Sequence, residues 1–471
     1  ARAAAACAAA AALATARAQD VYRIGFLGTV DVEPLPETFT GAWVAVQHAV
    51  NENALASHPS VPEFDFKLDL CGPEGCAVAD DGSYVEGYCV PGAVINDGCE
   101  NWCVPEGMVF RDTMCTAEMG GAAAQELLDQ APDLVAVIGA TCSGPTIQAA
   151  PVLAEAGIPL VSYSATNEDL SDVAQFPNFF RTIPPDSGQS VALAGILDSL
   201  NLCSYDVIAG ADPYSLGLGQ GAFDAGSAFS LEATNIYVLG DDTQMAPEEI
   251  ADAISQVKDS GTLVHILSTH CENSNRIFKE AVAQGISPSD GHLWIGTDGN
   301  SYDDCFEGVE DQFIGFIGTR PRGGTGDNYL SMLGWWAEQD VCQFQGIIHD
   351  EQTTEPNIFA AEAYDAVLAV AVAIQNLRDA GTEVTGANII TAMEDPDFSF
   401  TGATGIVAFG GTFDGLEVGP HDRAPSYNIM NYKGEIELVG YWSPLDLEPV
   451  NIVHTVLYPG GVVEQPTLAG C

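Results

Sequence analysis

Five apolar residues in a row, Leu134-Val135-Ala136-Val137-Ile138, run into the small-residue loop Gly139 to Cys142. An Ala-rich segment from about Thr146 follows, then a second apolar run, Ile158 to Ser162, which breaks into another hydroxyl-rich loop. Apolar runs this short, bounded by Gly, Ser and Thr, read as strands buried on both faces, and the segment between them reads as a helix. Strand, loop, helix, strand, loop is the repeat of a parallel sheet covered by helices, and no other feature of the chain restricts its fold as tightly. In such sheets ligands bind at the carboxyl ends of the strands. Both carboxyl-end loops here carry short hydroxyls rather than acid–base pairs or a phosphate-loop lysine. They read as equipment for holding a ligand, not for chemistry.

The same alternation extends in both directions. Val21–Gly28 and Phe64–Leu70 read as strands flanking a helix over Phe39–Ala54, and Val109–Cys115 leads into a helix over Ala117–Asp129. From about Ser190 a second set appears. Its strands are predicted at Tyr205–Ala209, Asn235–Leu239, Thr262–Ser268, His292–Gly296 and Phe313–Gly318, with helices between them that include Leu218–Phe229. Gly217, Gly219 and Gly221 read as a helix-start turn. Thr319 to Gly324 reads as a flexible return segment, followed by helices over Tyr329–Glu338 and Ala360–Leu377, a loop and strand over Ser399–Phe409, and two last strands between Ser426 and Tyr441.

Residues 71–107 interrupt the pattern with Cys71, Cys76, Cys89, Cys99 and Cys103 among Asp, Gly, Asn and Pro. Such a segment cannot build its own apolar core and is expected to be a disulfide-stapled insertion. Its Asp80-Asp81-Gly82 and Asn96-Asp97-Gly98 clusters lack a full calcium loop and read as turns. The first eighteen residues, Arg2-led, Ala-rich and ending Ala16-Arg17-Ala18, read as a secretory leader, the alternative being a low-complexity alanine tail. No other apolar run approaches the ~18–20 residues of a membrane span. Thirteen cysteines, twelve once Cys7 is set aside with the leader, suit an oxidising compartment and imply disulfides. No Cys-x-x-Cys occurs and the histidines are scattered, so no metal site is expected; His265, inside Leu263–Leu267, reads as a satisfied core residue. The balance of 14 basic and 66 acidic residues, formally −52, excludes nucleic acid as a partner and favours cationic or zwitterionic ligands.

Taken in order, Phe39-Thr40-Gly41-Ala42, Cys142-Ser143, SYSAT at 162–166, FPNFFRTIPPD at 176–186, Asp212-Pro213-Tyr214 and LWIGTDG at 293–299 resemble the type I periplasmic binding proteins. The likeness includes the branched-chain amino-acid binders and the ligand-binding ectodomains of metabotropic glutamate and GABA receptors. The resemblance implies an α/β fold of two Rossmann-like lobes joined by a three-crossing hinge, a clamshell that closes on its ligand. Lobe 1 would comprise 19–185 and 321–425, lobe 2 186–320 and 426–458, and 459–471 would be a tail. It also implies a disulfide between Cys115 and Cys142, ahead of the ligand serine.

For a free amino acid the resemblance places Ser143 and Thr166 on the carboxylate, the Ser164 carbonyl and Asp186 on the ammonium, and Tyr214 and Asp298 from the second lobe over the ligand. Each residue has a plainer role: Ser143, Thr166 and Asp186 as helix caps or turn residues, Asp298 as a turn acid. Trp43 would line the cleft or the core. Gly144-Pro145 replaces the family's serine run after Ser143. The function expected on this basis is an extracytoplasmic solute-binding protein, periplasmic or secreted, that captures an amino acid or similar small zwitterion for an ABC-type importer; the alternative is the ectodomain of a sensory receptor. No cofactor is expected. The chain has no G-x-S-x-G, no HExxH and no cysteine separable from the disulfide set, so it is not read as an enzyme.

Overall fold

The computed structural model describes residues 20–28, 41–42, 44–53, 55, 61–70, 86–90, 102–105, 109–240, 245–336, 356–413, 416–444, 446 and 449–464. The leader, Trp43, the two Asp/Asn clusters of the insertion, Cys342 and Cys471 lie outside these residues. Of the insertion, only the backbone of an antiparallel pair is described, Glu86–Val90 against Trp102–Pro105.

Two sheets carry the molecule. The first runs Phe66–Asp69, Asp20–Gly28, Leu134–Ile138, Leu160–Ser162, Phe179–Arg181 across the page, all parallel, with Phe110–Asp112 also pairing the end of Asp20–Gly28. The second runs Glu232–Val238, Ser204–Ala209, Val264–Ser268, Leu293–Gly296, Ile317–Pro321, Tyr427–Tyr432, Ile436–Trp442, Val450–Ile452; the first five are parallel and the last three antiparallel. Each sheet is flanked by helices and has its own apolar core. These are the two Rossmann-like lobes of a type I periplasmic-binding-protein fold, and the chain passes between them three times, after Arg181, after Pro321 and after Arg423.

Several elements fall differently from the sequence reading. The strand expected over Phe313–Gly318 begins instead at Ile317 and extends through Pro321. Phe313 and Phe316 are drawn out of it into an aromatic cluster with Phe278, Phe306 and Trp294, because burying those rings outweighs a few residues of strand propensity. A strand at Leu416–Arg423, which the sequence reading did not anticipate, forms a small antiparallel sheet with Ser399–Gly402 and Gly405–Phe413. The helix Ile358–Asp379 is long and apolar enough to span a bilayer, contrary to the expectation that no such run remained, but nearly all of it is buried in the core of the first lobe.

His265 is fully buried, as a core residue should be, yet only half satisfied. Its Nε2 lies 2.8 Å from His292 Nδ1 and its ring stacks on that of His292, while its Nδ1 has no hydrogen-bond partner among the described residues. Burial first, and the neighbouring His292 second, push its pKa down to about 3 from an ordinary 6.5. The folded state therefore refuses a proton that the unfolded chain accepts, so stability is full above about pH 6.5 and falls as pH drops toward 3, by up to about 1.4 kcal/mol per pH unit. His265→Phe is expected to flatten this loss. Melting temperatures of both proteins between pH 7 and 5 check it, and parallel curves would refute the assignment.

Candidate functional site

Three helices begin at the junction of the lobes, and each start has a local cause. Ile138 ends its strand at Gly139, whose φ of +121° and approach to the Leu27 carbonyl leave no room for a side chain. The chain then enters the helix Ser143–Glu155 three residues earlier than its sequence suggested. Pro184-Pro185 precede the helix Asp186–Ser199. Asp212 caps the helix Pro213–Ala225: its Oδ1 accepts from the Tyr214 and Ser215 N–H groups at 3.0 and 3.1 Å. Burial alone would raise the Asp212 carboxyl, but His270, 3.8 Å away, and Ser215 hold it down at about 2.

The glycine trio lies inside this last helix, not in a turn before it. A side chain at Gly217 would strike Asn167 of the first lobe, one at Gly219 Ala209, and one at Gly221 Ser190. The glycines let the helix lie against the sheet, its neighbour helix and the opposite lobe at once. Asn167 makes that last contact, donating from Nδ2 to the Pro213 carbonyl across the cleft, while its backbone N–H donates to Ser143 Oγ at 3.2 Å. The lobes are closed on each other here.

The residues singled out from the sequence lie as follows. Ser143 is the first residue of its helix and is buried; its hydroxyl does not cap that helix and accepts from the Asn167 N–H. The first-turn N–H groups of a helix have no intrahelical partner and favour an anion; Pro145 contributes none, which narrows the set. Ser164 is half-buried in the neighbouring loop, its N–H donating to Ser162 Oγ at 3.2 Å. Thr166 is buried and its hydroxyl has no hydrogen-bond partner among the described residues, while its carbonyl accepts from the Asp186 N–H at 2.8 Å.

Asp186 is only 1% exposed, and neither carboxylate oxygen has a hydrogen-bond partner among the described residues. It opens its helix without capping it. Burial, then the nearby charge of Asp298, push its pKa well above the ordinary carboxylate range; the Thr166 hydroxyl, close by but without hydrogen-bond geometry, and Arg181 ease this.

Tyr214 and Asp298 meet in the second lobe. The Tyr214 hydroxyl donates to Asp298 Oδ1 at 2.8 Å, accepts from the Gly299 N–H at 2.9 Å and lies 3.1 Å from Thr297 Oγ1. Asp298 is buried, and burial raises its pKa against the pull of Tyr214 and Gln189. The disulfide Cys271–Cys305 ties the start of the helix Cys271–Gln284 to the short turn that closes the Asp298 loop. A disulfide also joins Cys115 to Cys142, immediately before Ser143, with Cα atoms 5.4 Å apart; Cys203 is disulfide-bonded as well.

Sequence reasoning missed the residues that hold this arrangement in place. Arg181 is fully buried and donates to Asp422 Oδ1 at 2.6 Å, to the carbonyls of Ala165 and Asn167 at 3.2 and 2.9 Å, and to Ser171 Oγ. Arg423 pairs with Glu362 at 3.0 Å and donates to the carbonyls of Thr182 and Thr404. Burial still drives the Glu362 carboxyl up to about 8. A lone arginine inside the apolar FFR segment of so Lys- and Arg-poor a chain was the available signal.

Chemically, the site offers hydroxyls and helix-start N–H groups on one side and two buried carboxyls on the other. Among the described residues no group of three or more metal-ligating side chains converges. Comparison with known proteins gives the family of the chain. The receptor family ligand-binding region matches residues 107–435. Metabotropic glutamate receptor-like protein E of Dictyostelium discoideum is 25% identical over 346 residues, 70% of this chain and 39% of the relative. A metabotropic glutamate receptor of Drosophila melanogaster is 33% identical over 189 residues, 38% of this chain and 18% of the relative. The extracellular calcium-sensing receptor of Mus musculus is 28% identical over 172 residues, 36% and 15% respectively. The matched part thus spans well under half of each of these relatives. With the family match covering most of the two-lobed fold and both halves of the cleft, the chain belongs to the receptor family of ligand-binding regions.

Proposed function

We propose that this chain is the ligand-capturing region of an extracytoplasmic receptor, which closes its two lobes on an amino acid or a similar small zwitterion. The observation that carries this reading is Asp186: a carboxylate 1% exposed, both oxygens without a hydrogen-bond partner among the described residues, near the second buried acid, Asp298, at the junction of the lobes. Two such acids without a cation are costly, and an ammonium group between them removes that cost. In this reading the Asp186 and Asp298 carboxylates and the Ser164 carbonyl receive the ammonium, with Tyr214 closing over it. The ligand carboxylate takes the unpartnered Thr166 hydroxyl, the Ser143 hydroxyl and the N–H groups at the start of the helix Ser143–Glu155. Because the hydroxyls that take the carboxylate follow strands of the first lobe and the two acids belong to the second, affinity depends on closure, and the ligand shifts the population toward the closed state.

The receptor role is favoured over delivery to an importer because the relatives matched are receptors. A thermal-shift screen of the oxidised protein against the twenty amino acids, GABA, small peptides and polyamines tests the reading. A ligand bound only by the folded state, at a hundred times its Kd, is expected to raise the melting temperature of a chain this size by roughly 3 °C, and the shift is expected to vanish in Ser143→Ala and Asp298→Ala. Shifts confined to compounds without an α-amino acid group, or surviving both substitutions, would overturn it.

A further inference from the structure

We propose that the cleft admits amino acids whose side chain is neutral or basic and excludes those that carry a second carboxylate. The inference rests on the amino-acid site proposed above and concerns the third substituent of the ligand, which none of the site residues named so far reads.

The argument is a census of charge. Every Lys and Arg of the chain except Arg2 and Arg17 lies among the described residues, so the cations open to a ligand's distal group can be sought one by one. Arg181 is enclosed at the floor of the first lobe and spends its guanidinium on Asp422, Ser171 and two loop carbonyls. Arg423 is held by Glu362 and by backbone carbonyls. In the second lobe Arg276 donates to Asn273 Oδ1 at 2.9 Å and to the Met245 carbonyl. Arg320 puts two of its N–H groups on the Ser301 carbonyl and lies over the Tyr302 ring at 4.1 Å, and Arg322 lies over Tyr441 at 5.2 Å. Arg111, opposite Leu27 near the carboxyl end of the first strand, is turned to the helix Ala117–Gln130, donating to Glu126 Oε2 at 2.8 Å and Gln130 Oε1 at 2.7 Å, and Arg378 pairs with Asp20 and Asp65 at the base of the first lobe.

The acids point the other way. Asp186 and Asp298 are buried in the cleft, whereas Asp212, at the start of the adjoining helix, already has its counter-charge in His270, which lies 3.8 Å from it and against the Tyr214 ring at 5.0 Å. One ligand ammonium offsets only part of this charge, and the ligand carboxylate is met by neutral donors. A zwitterion therefore leaves the closed site net negative. A second carboxylate would enter without a partner, beside like charges and in a protein of formal charge −52, whereas a distal amine or guanidinium would complete the balance.

Isosteric pairs isolate the effect, because asparagine and aspartate, or glutamine and glutamate, differ in charge and hardly in shape. Titration calorimetry of the oxidised full chain at 0.15 M salt is run with both pairs and with leucine, lysine and arginine. The expected result is measurable binding of at least one neutral or basic amino acid, with each acid at least about a hundredfold weaker than its amide or without heat, the affinity equivalent of forcing like charges together. Aspartate or glutamate binding as tightly as its amide would overturn the proposal, and loss of that binding in Arg320→Gln would name the cation that had been misjudged. Acid binding abolished by Asp298→Ala would leave the amino-acid reading standing while removing this one; no heat with any of the twenty amino acids would remove both.

Discussion

Asp186→Asn is expected to raise the melting temperature of the ligand-free protein while weakening amino-acid binding by about a hundredfold or more. The two effects have one cause. Asp186 is 1% exposed with both oxygens lacking a hydrogen-bond partner among the described residues, and a buried charge without a partner costs several kcal/mol. Against this stands its place at the first residue of the helix Asp186–Ser199, where a negative charge contributes only about 0.3–1 kcal/mol. The desolvation cost is the larger, so removing the charge stabilises the free protein. With ligand bound the sign reverses, because the ammonium has lost the group that neutralises it.

The pH dependence follows from the same direction of shift. The folded-state pKa is raised above the unfolded value, so through this group the free closed protein becomes more stable as pH falls, while ligand affinity, which needs the carboxylate, declines over the same range. Calorimetry and thermal melts on wild type and variant between pH 5 and 8 check both. A variant that is less stable without ligand, or that binds as before, would show Asp186 to be a structural acid.

Arg181→Met is expected to destabilise the protein by about 3–5 kcal/mol, the larger of the two effects on folding. The substitution leaves the Asp422 carboxylate and the Ala165 and Asn167 carbonyls buried without their donor. It also frees the loop that carries Ser164, Thr166 and Asn167, so ligand binding is expected to weaken along with stability. Asp422→Asn keeps a hydrogen-bond acceptor for Nε and is expected to cost less. The double variant Arg181→Met, Asp422→Leu should recover part of the loss, since it removes both charges rather than one. Urea denaturation of the three variants separates these cases, and equal losses in all three would mean that packing rather than charge dominates at this position.

Much of the architecture was legible along the chain. The apolar runs at Leu134–Ile138 and Leu160–Ser162, and their counterparts in the second lobe, became parallel strands, because burial on both faces demands an unbroken apolar segment and a neighbouring helix of period 3.6. The loops after those strands were equally legible as the place where helices start, because the geometry of a parallel sheet puts the helix starts there. Where propensity and packing disagreed, packing prevailed: Phe313 and Phe316 left the strand for the aromatic cluster, and Gly217, Gly219 and Gly221, which looked like a turn, became the face on which a helix meets three neighbours.

The segment GPHDR at 419–423 shows where local reading stops. Its Gly, Pro and Asp look like a turn, yet it ends a strand whose Asp422 and Arg423 pair with residues 241 and 61 positions away. Apolar periodicity is a property of neighbours in sequence, so strand, helix and ligand loop could be read from the order of residues. Whether an acid is paired or unpaired is a property of neighbours in space. Only the closed fold decided that Arg181, Arg320 and Arg423 would be hydrogen-bonded elsewhere and that Asp186 and Asp298 would be buried near each other with no Lys or Arg in contact with either among the described residues, and it is that buried charge, created by long-range packing in a low-dielectric cleft, that supports an ammonium ligand.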